Sequence, residues 1–428
     1  MLRINLTRTK KLLSEIGIAL SLVSIPLGMI VKVIWGNMLF GNLLMGLGLV
    51  MMFPYHRIKY GIRLNFQTGV ILFLLLSFIY YFVSDFDEPV YLLYLSVSLV
   101  FSVGMSLSKY EVDFNFDKIV RFIWLFSLIC VLGGLYCFAS GTLSLLSGLL
   151  DFNEEGDTIY DGLTMGSVCI IQIICSFYYI AKEETSSSNR NLLFLLIVLD
   201  FVMIVMAFKR TPLLNAFIVI IYYLRHLGYL SMTPKKIAGL SLVIIAMIFF
   251  VVSNSEVQEA VESILESIFE GVSSLVTGNH SGHSLTNSTD IRIENREEAF
   301  AMISRFDILE FMLGKGFMTF WFDMPLIQSY LDMGIIGFIL FFSYTVFLPL
   351  YVVFSKIKKN DFIMICGMFA FPSAISCLTS GHPYFHSLWM PISLLCFVLD
   401  GYYKKERIIF KSKNAQLEKN SVCEINYV

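Results

Sequence analysis

Charge is what this sequence has least of. Only 15% of its 428 residues are Asp, Glu, Lys or Arg, and 57% are hydrophobic, whereas an average soluble domain carries roughly 25% charged residues. Such a chain has too few polar groups to cover a water-facing surface, which excludes an ordinary cytosolic enzyme and makes lipid the expected solvent. A net charge of -2 provides no overall basic field, so nucleic acid is not an expected partner. Cysteine is missing where a disulfide framework would need it. Seven of the eight fall in apolar runs, Cys423 lies in the tail, and none lies between 254 and 323, so disulfides are not expected. The first apolar run lacks an Ala-x-Ala-like site, is too long for a secretory signal and is followed at once by another run, so it reads as a span. There is no internal repeat.

What is present is a series of apolar runs at 12–31, 36–53, 67–84, 90–108, 119–139, 162–181, 192–208, 212–230, 237–253, 324–355, 361–380 and 387–403. A bilayer core needs about 20 apolar residues per helix. The expectation is therefore an all-α, polytopic membrane protein of about twelve spans. Residues 1–253 carry spans one to nine, 254–323 form a large helical outer loop, 324–403 carry spans ten to twelve, and 404–428 form a cytoplasmic tail. Twelve spans put both termini on one side. With that side inside, the inner segments hold 24 of the 31 Lys and Arg residues, as the positive-inside rule requires. The others are Lys32, Lys209, Arg210, Arg292, Arg296, Arg305 and Lys315. Six of these fall in two outer regions, a local departure from the rule that calls for a role other than topology.

The outer loop opens on an amphipathic pattern. Val257, Ala260, Val261, Ile264, Leu265, Ile268, Phe269 and Val272 oppose Glu256, Glu259, Glu262, Glu266 and Glu270. Helices that lie on membranes usually have a basic polar face, so this acidic one is expected to pack on the protein's own outer surface. The Gly, Ser and Asn-rich stretch 278–290 reads as a loop; its His280 and His283 lack a Cys or carboxylate at ligand spacing, and no metal is expected. Residues 291–310 read as a second helix with Arg292, Arg296, Ala299 and Ile303 on one stripe. Two guanidiniums one turn apart can clamp a diphosphate, because each offers a planar fork of donors and neither loses its charge. The same spacing also allows ion pairs with Glu294, Glu297 or Glu298, and periodicity does not choose between the two.

Four further features carry polar chemistry. Asp200 sits in the middle of the seventh run, where an ionised carboxylate is costly unless paired or neutral. Arg225, about four rises away in depth on the next span, is the expected partner, and a proton or ion site is the functional alternative. Lys209 and Arg210 form a short outer turn before Pro212, which suits a helix's first turn. His382 and His386 flank Pro383 in another outer turn. Gly334 and Gly337 open the tenth span and permit close helix packing.

AFKRTPLL at 207–214, NREEAFAMISRFDILEFMLGKGF at 295–317 and WFDMPLIQSYLDMGIIGFILFF at 321–342 together resemble the O-antigen polymerase and O-antigen ligase superfamily. Its members show an Arg at the start of a central span and an Arg opening an outer-loop helix about 18 residues before Gly-x-Gly. A His or Asp then precedes a span with Gly-Ile-Ile-Gly. Here these places fall on Arg210, Arg296, Gly314 with Gly316, Asp323, and Gly334 with Gly337. The resemblance covers about 200–345 and otherwise extends only to the number of spans.

It implies glycosyl transfer at the outer face of a bacterial inner membrane, without metal or other cofactor. Donor and acceptor would be undecaprenyl-diphosphate-linked oligosaccharides, with a chain-length regulator protein and membrane lipids as further partners. Arg210 and Arg296 become the clamp on the diphosphate leaving group, where fixed cations stabilise developing charge. Arg292, Arg305 and Lys209 support them in substrate binding. Asp323 becomes the base that takes the acceptor hydroxyl proton, with His382 and His386 as substrate-binding groups and second candidates. Ligases typically place His where this chain has Asp323, which favours polymerase of O-antigen or capsular polysaccharide over transfer to a lipid A core. A transporter of polysaccharide or lipid-linked oligosaccharide is the reading from another class. It would require deep polar residues and broken helices in corresponding halves.

Overall fold

The structure, a computed structural model, describes residues 2–35, 39–61, 65–84, 86–109, 114–139, 162–182, 186–206, 210–227, 295, 297–322, 324–355, 361–379 and 381–425. The expected ninth span, the acidic amphipathic helix, His280, His283, Arg292, Arg296, Lys209 and Asp323 lie outside the described residues.

Every regular element among the described residues is a helix. In chain order they are α1 (Leu2–Trp35), α2 (Leu39–Met52), α3 (Gln67–Val83), α4 (Pro89–Leu107), α5 (Phe116–Ala139), α6 (Gly162–Ala181), α7 (Ser187–Met206), α8 (Arg210–His226), α9 (Ile308–Leu313), α10 (Pro325–Phe342), α11 (Leu348–Phe354), α12 (Asp361–Thr379) and α13 (His386–Ile425). Prolines at the starts of α4 and α10 occupy positions where a missing N–H costs nothing. Six helical stretches among the described residues are long and apolar enough to cross a membrane: Arg8–Gly28, Pro89–Leu107, Phe116–Tyr136, Thr164–Ala181, Ser187–Val205 and Pro325–Phe354.

The bundle is apolar outside and partly polar inside. Leu43, Leu47, Ile79, Phe82, Ile129, Leu132, Leu195, Ile339 and Phe354 are exposed, while Ser77, Ser98, Ser102, Ser127, Gln172 and Ser393 are buried. Water would penalise that arrangement, whereas lipid favours it, because in lipid small polar residues hold helices together instead of facing the solvent. The chain is a membrane-embedded helical protein. The first half of α13 is central, packed on α3, α4 and α12. Ser393 there bonds Ser102 of α4 (2.7 Å), and its carbonyl accepts from Gln67 Nε2 of α3 (3.0 Å). Trp389 is fully buried against Phe73 and Phe341.

Three expectations change. Residues 291–310 do not form one helix through to Glu310. Residues 297–303 are helical, a turn follows, and α9 starts afresh. There Asp307 accepts from the Glu310 amide (2.7 Å) while the Glu310 carboxylate accepts from the Asp307 amide (3.3 Å), a capping box that satisfies a new helix start. The tenth span is not continuous, because Gly334 has φ 61 and ψ -159, and a π-helical turn occupies Ser343–Phe347. Asp200 is not paired with Arg225. Arg225 lies exposed in the last turn of α8, and both Asp200 oxygens lack a partner among the described residues. α7 ends at Met206 and α8 starts at Arg210, so Asn215, five residues into α8, is nearer the depth of Asp200, six residues before the end of α7. Arg225 lies about ten residues further down, or about 15 Å at 1.5 Å per residue.

Candidate functional site at the α10 break

The break in α10 decides the local geometry. A residue at φ 61 stops the helix, so the carbonyls of Leu331 and Asp332 lose their partners one turn on. The Gly314-Lys-Gly316 loop takes them instead: the Lys315 N–H donates to Leu331 O (2.7 Å) and the Gly316 N–H to Asp332 O (3.1 Å). This approach needs glycine on both sides. A Cβ at Gly314, where φ is +77, would lie 2.5 Å from the Met333 nitrogen, and one at Gly334 would lie 2.6 Å from the Leu313 nitrogen. Irregular backbone within an apolar chain is tolerated where protein groups replace the lost hydrogen bonds, as they do here.

Asp332, buried at the end of the first half of α10, collects three donors. They are the Met318 N–H (3.1 Å), Gln328 Nε2 (2.7 Å) and the Tyr384 hydroxyl (2.5 Å). Gln328 also accepts from the Phe322 N–H (2.8 Å) and donates to Phe320 O (2.8 Å). Two side chains thus fix the segment leading to Asp323 and tie it to the 381–385 turn. That turn is anchored from below by Trp389 Nε1, which donates to Pro383 O (2.8 Å). On the sequence Asp332 stands only at the outer boundary of the tenth run, and no motif there singles out Gln328 or Tyr384. The legible signal was a Gln and an Asp four residues apart at the mouth of an apolar run.

His382 and His386 are both brought here. His382 lies in the non-helical turn, and His386 opens α13. His382 is buried among Tyr91 (ring centroids 4.7 Å apart), Trp321 (5.7 Å) and Phe385 (3.6 Å), and its Nδ1 accepts from the Tyr384 N–H (3.3 Å). His386 packs on Tyr94 (5.1 Å), and its Nδ1 has no partner among the described residues. Burial, with His386 adding to it, pushes the His382 pKa from 6.5 down to about 3. The neutral imidazole is the form the fold accommodates.

The consequence for stability has a definite sign. Between pH 6.5 and 3 the unfolded state binds a proton that folded His382 refuses, so this site destabilises the protein as pH falls below 6.5. From pH 6.5 to 5 its share is about 2 kcal/mol, at about 1.4 kcal/mol per unit. Thermal unfolding in detergent should show wild type losing stability over that interval more steeply than His382→Gln. Equal slopes would remove His382 as the cause.

The cations fall into two groups. Lys315 is engaged, 3.7 Å from Glu310 and over the rings of Phe306 (5.4 Å) and Phe320 (5.9 Å). Arg305 is exposed in the turn after the 297–303 helix. Arg210 opens α8, its side chain being outside the described residues. Ala299 and Ile303 pack with Met302 and Phe306 against Phe322 and Leu331. The 297–303 helix therefore turns this face towards residues next to Asp323 and Asp332 in the chain. Compared with known proteins, the chain matches no protein-family model and no curated sequence.

Proposed function

We propose that this protein is a polysaccharide polymerase. It would join polyprenyl-diphosphate-linked oligosaccharide repeats at the outer face of a bacterial inner membrane, in a chain of twelve spans with both termini cytoplasmic. One observation carries the reading: Ala299 and Ile303, which the sequence pattern puts on one stripe with Arg292 and Arg296, pack on Phe322 and Leu331, beside the segment that Asp332 and Gln328 hold in place. In the reaction an acceptor hydroxyl oxygen attacks the anomeric carbon of the donor sugar while the bond to the diphosphate breaks. The electron pair leaves with the polyprenyl diphosphate, where the guanidiniums of Arg296 and Arg210 meet the growing charge. Arg292, Arg305 and Lys209 extend the anion-binding surface. The hydroxyl proton goes to Asp323, or to His386 through its unpartnered Nδ1.

A transporter is the second reading, favoured by the discontinuous α10 and the deep, unpaired Asp200. Deleting the gene and resolving surface glycan on a gel separates the possibilities. Single-repeat product supports the polymerase. Loss of all glycan from the lipid core supports a ligase, and lipid-linked repeats retained on the inner side support a transporter. Glycan of normal length and amount overturns all three.

A further inference from the structure

Three neighbouring helices bring polar side chains to one depth inside the bundle. Gln172 of α6 and Asp200 of α7 are fully buried, and Asn215 of α8 is 3% exposed. Asp200 lies six residues before the end of α7 at Met206, and Asn215 five residues after the start of α8 at Arg210. Cys169 and Cys175 both feel the Asp200 charge, and Gln172 lies midway between them on α6. α6 packs against both α7 and α8.

The hydrogen bonds of this cluster do not close. Gln172 Oε1 accepts from the Ser127 hydroxyl. Gln172 Nε2, both Asp200 oxygens and Asn215 Oδ1 have no partner among the described residues. Three of these four atoms accept and only one donates, so the cluster is short of a donor or a cation. The described side chains do not supply it. Cys169 and Cys175 face Asp200 from α6, with Cys130 of α5 next to Cys169 and Tyr223 deeper on α8. Lys182 is held by Asp117, and Arg225 is exposed at the far end of α8.

We infer that Asp200, Asn215 and Gln172 form an intramembrane site for one monovalent cation, either a sodium ion or a proton. One carboxylate is neutralised by one positive charge, whereas a divalent ion would leave excess charge in a low-dielectric interior. Sodium would take oxygens from Asp200 and Asn215, the ligands a hard cation prefers. A proton would instead make Asp200 a neutral carboxyl, able to donate towards the unpartnered Asn215 Oδ1. Either occupant fixes α6 to α8 beneath the turn that carries Arg210. The site stands independently of the glycosyl-transfer reading.

The test uses the purified full chain in detergent at pH 7.5, in sodium chloride and in choline chloride at equal ionic strength. Wild type, Asp200→Asn and Asn215→Leu are compared by thermal unfolding and infrared spectroscopy. A sodium site raises the wild-type unfolding temperature with sodium concentration. That dependence disappears in Asp200→Asn and needs at least tenfold more sodium in Asn215→Leu. A proton site gives sodium-independent unfolding and a protonated carboxyl band that Asp200→Asn lacks and Asn215→Leu shifts. If Asp200→Asn does not fold, the Asn215→Leu comparison decides alone. Sodium-independent unfolding together with a carboxyl band unaltered in the variants overturns the inference.

Discussion

Replacing Arg296 or Arg210 by Ala is expected to stop chain extension, leaving single-repeat glycan on the cell while protein abundance is unchanged. The size of the effect follows from where the charge appears. Breaking the anomeric bond adds charge to a diphosphate that is already anionic, and a donor fixed in place for that moment stabilises the transition state more than the ground state. Removing one such donor costs roughly 10²- to 10³-fold in rate. Over several successive transfers that loss eliminates long chains. Lys at either position should not restore them, since a point charge cannot reproduce the two parallel hydrogen bonds of a guanidinium. Ion pairing with Glu294, Glu297 or Glu298 predicts the opposite outcome. An exposed pair contributes about 0–1 kcal/mol, so its loss would leave glycan length unaltered. Full-length glycan at normal abundance in either Ala variant removes that residue from the clamp.

The sequence displayed the apolar helices well, because runs of apolar residues near bilayer length are a one-dimensional signal, and among the described residues six stretches are long and apolar enough to cross a membrane. It displayed the breaks poorly. The run at 324–355 is predominantly apolar, and Gly334 within it reads as a small residue for helix packing. Its positive φ goes with a tertiary contact, the Gly314 loop that takes over the Leu331 and Asp332 carbonyls. The interruption at Asp307 was more accessible. Asp307 and Glu310 have capping-box spacing, but the stripe through Arg296, Ala299 and Ile303 made one long helix the simpler reading. In the structure Ala299 and Ile303 of that stripe face inward. The Asp200 pairing failed for a geometric reason, since depth estimated from span boundaries does not reveal that Asn215 of α8 is nearer its depth than Arg225. The Asp332–Tyr384 bond joins residues 52 apart in sequence, and no local pattern announces such a contact.

Gly334→Ala is expected to be strongly destabilising for a single added methyl group. At φ 61 and ψ -159 the backbone occupies a region essentially reserved for glycine, and any other residue there costs about 1–3 kcal/mol. The added carbon would also collide with the backbone at Met312 and come within 2.6 Å of the Leu313 nitrogen. Overpacking of this kind adds about 1–3 kcal/mol when the neighbours can yield. Here they are backbone, and moving them breaks the Lys315 and Gly316 hydrogen bonds to α10. The expected total is about 2–6 kcal/mol, read as a fall of several degrees in unfolding temperature in detergent. Gly46→Ala is the control. Gly46 lies inside α2 with nothing described within 4 Å of its would-be Cβ, so Ala should leave stability unchanged or raise it by up to about 1 kcal/mol. Gly314→Ala meets the same interface from the other side, so combining it with Gly334→Ala should cost less than the sum of the two. If Gly334→Ala unfolds at the same temperature as Gly46→Ala, α10 is continuous through residue 334. Asp332 and the segment before Asp323 would then need another means of support.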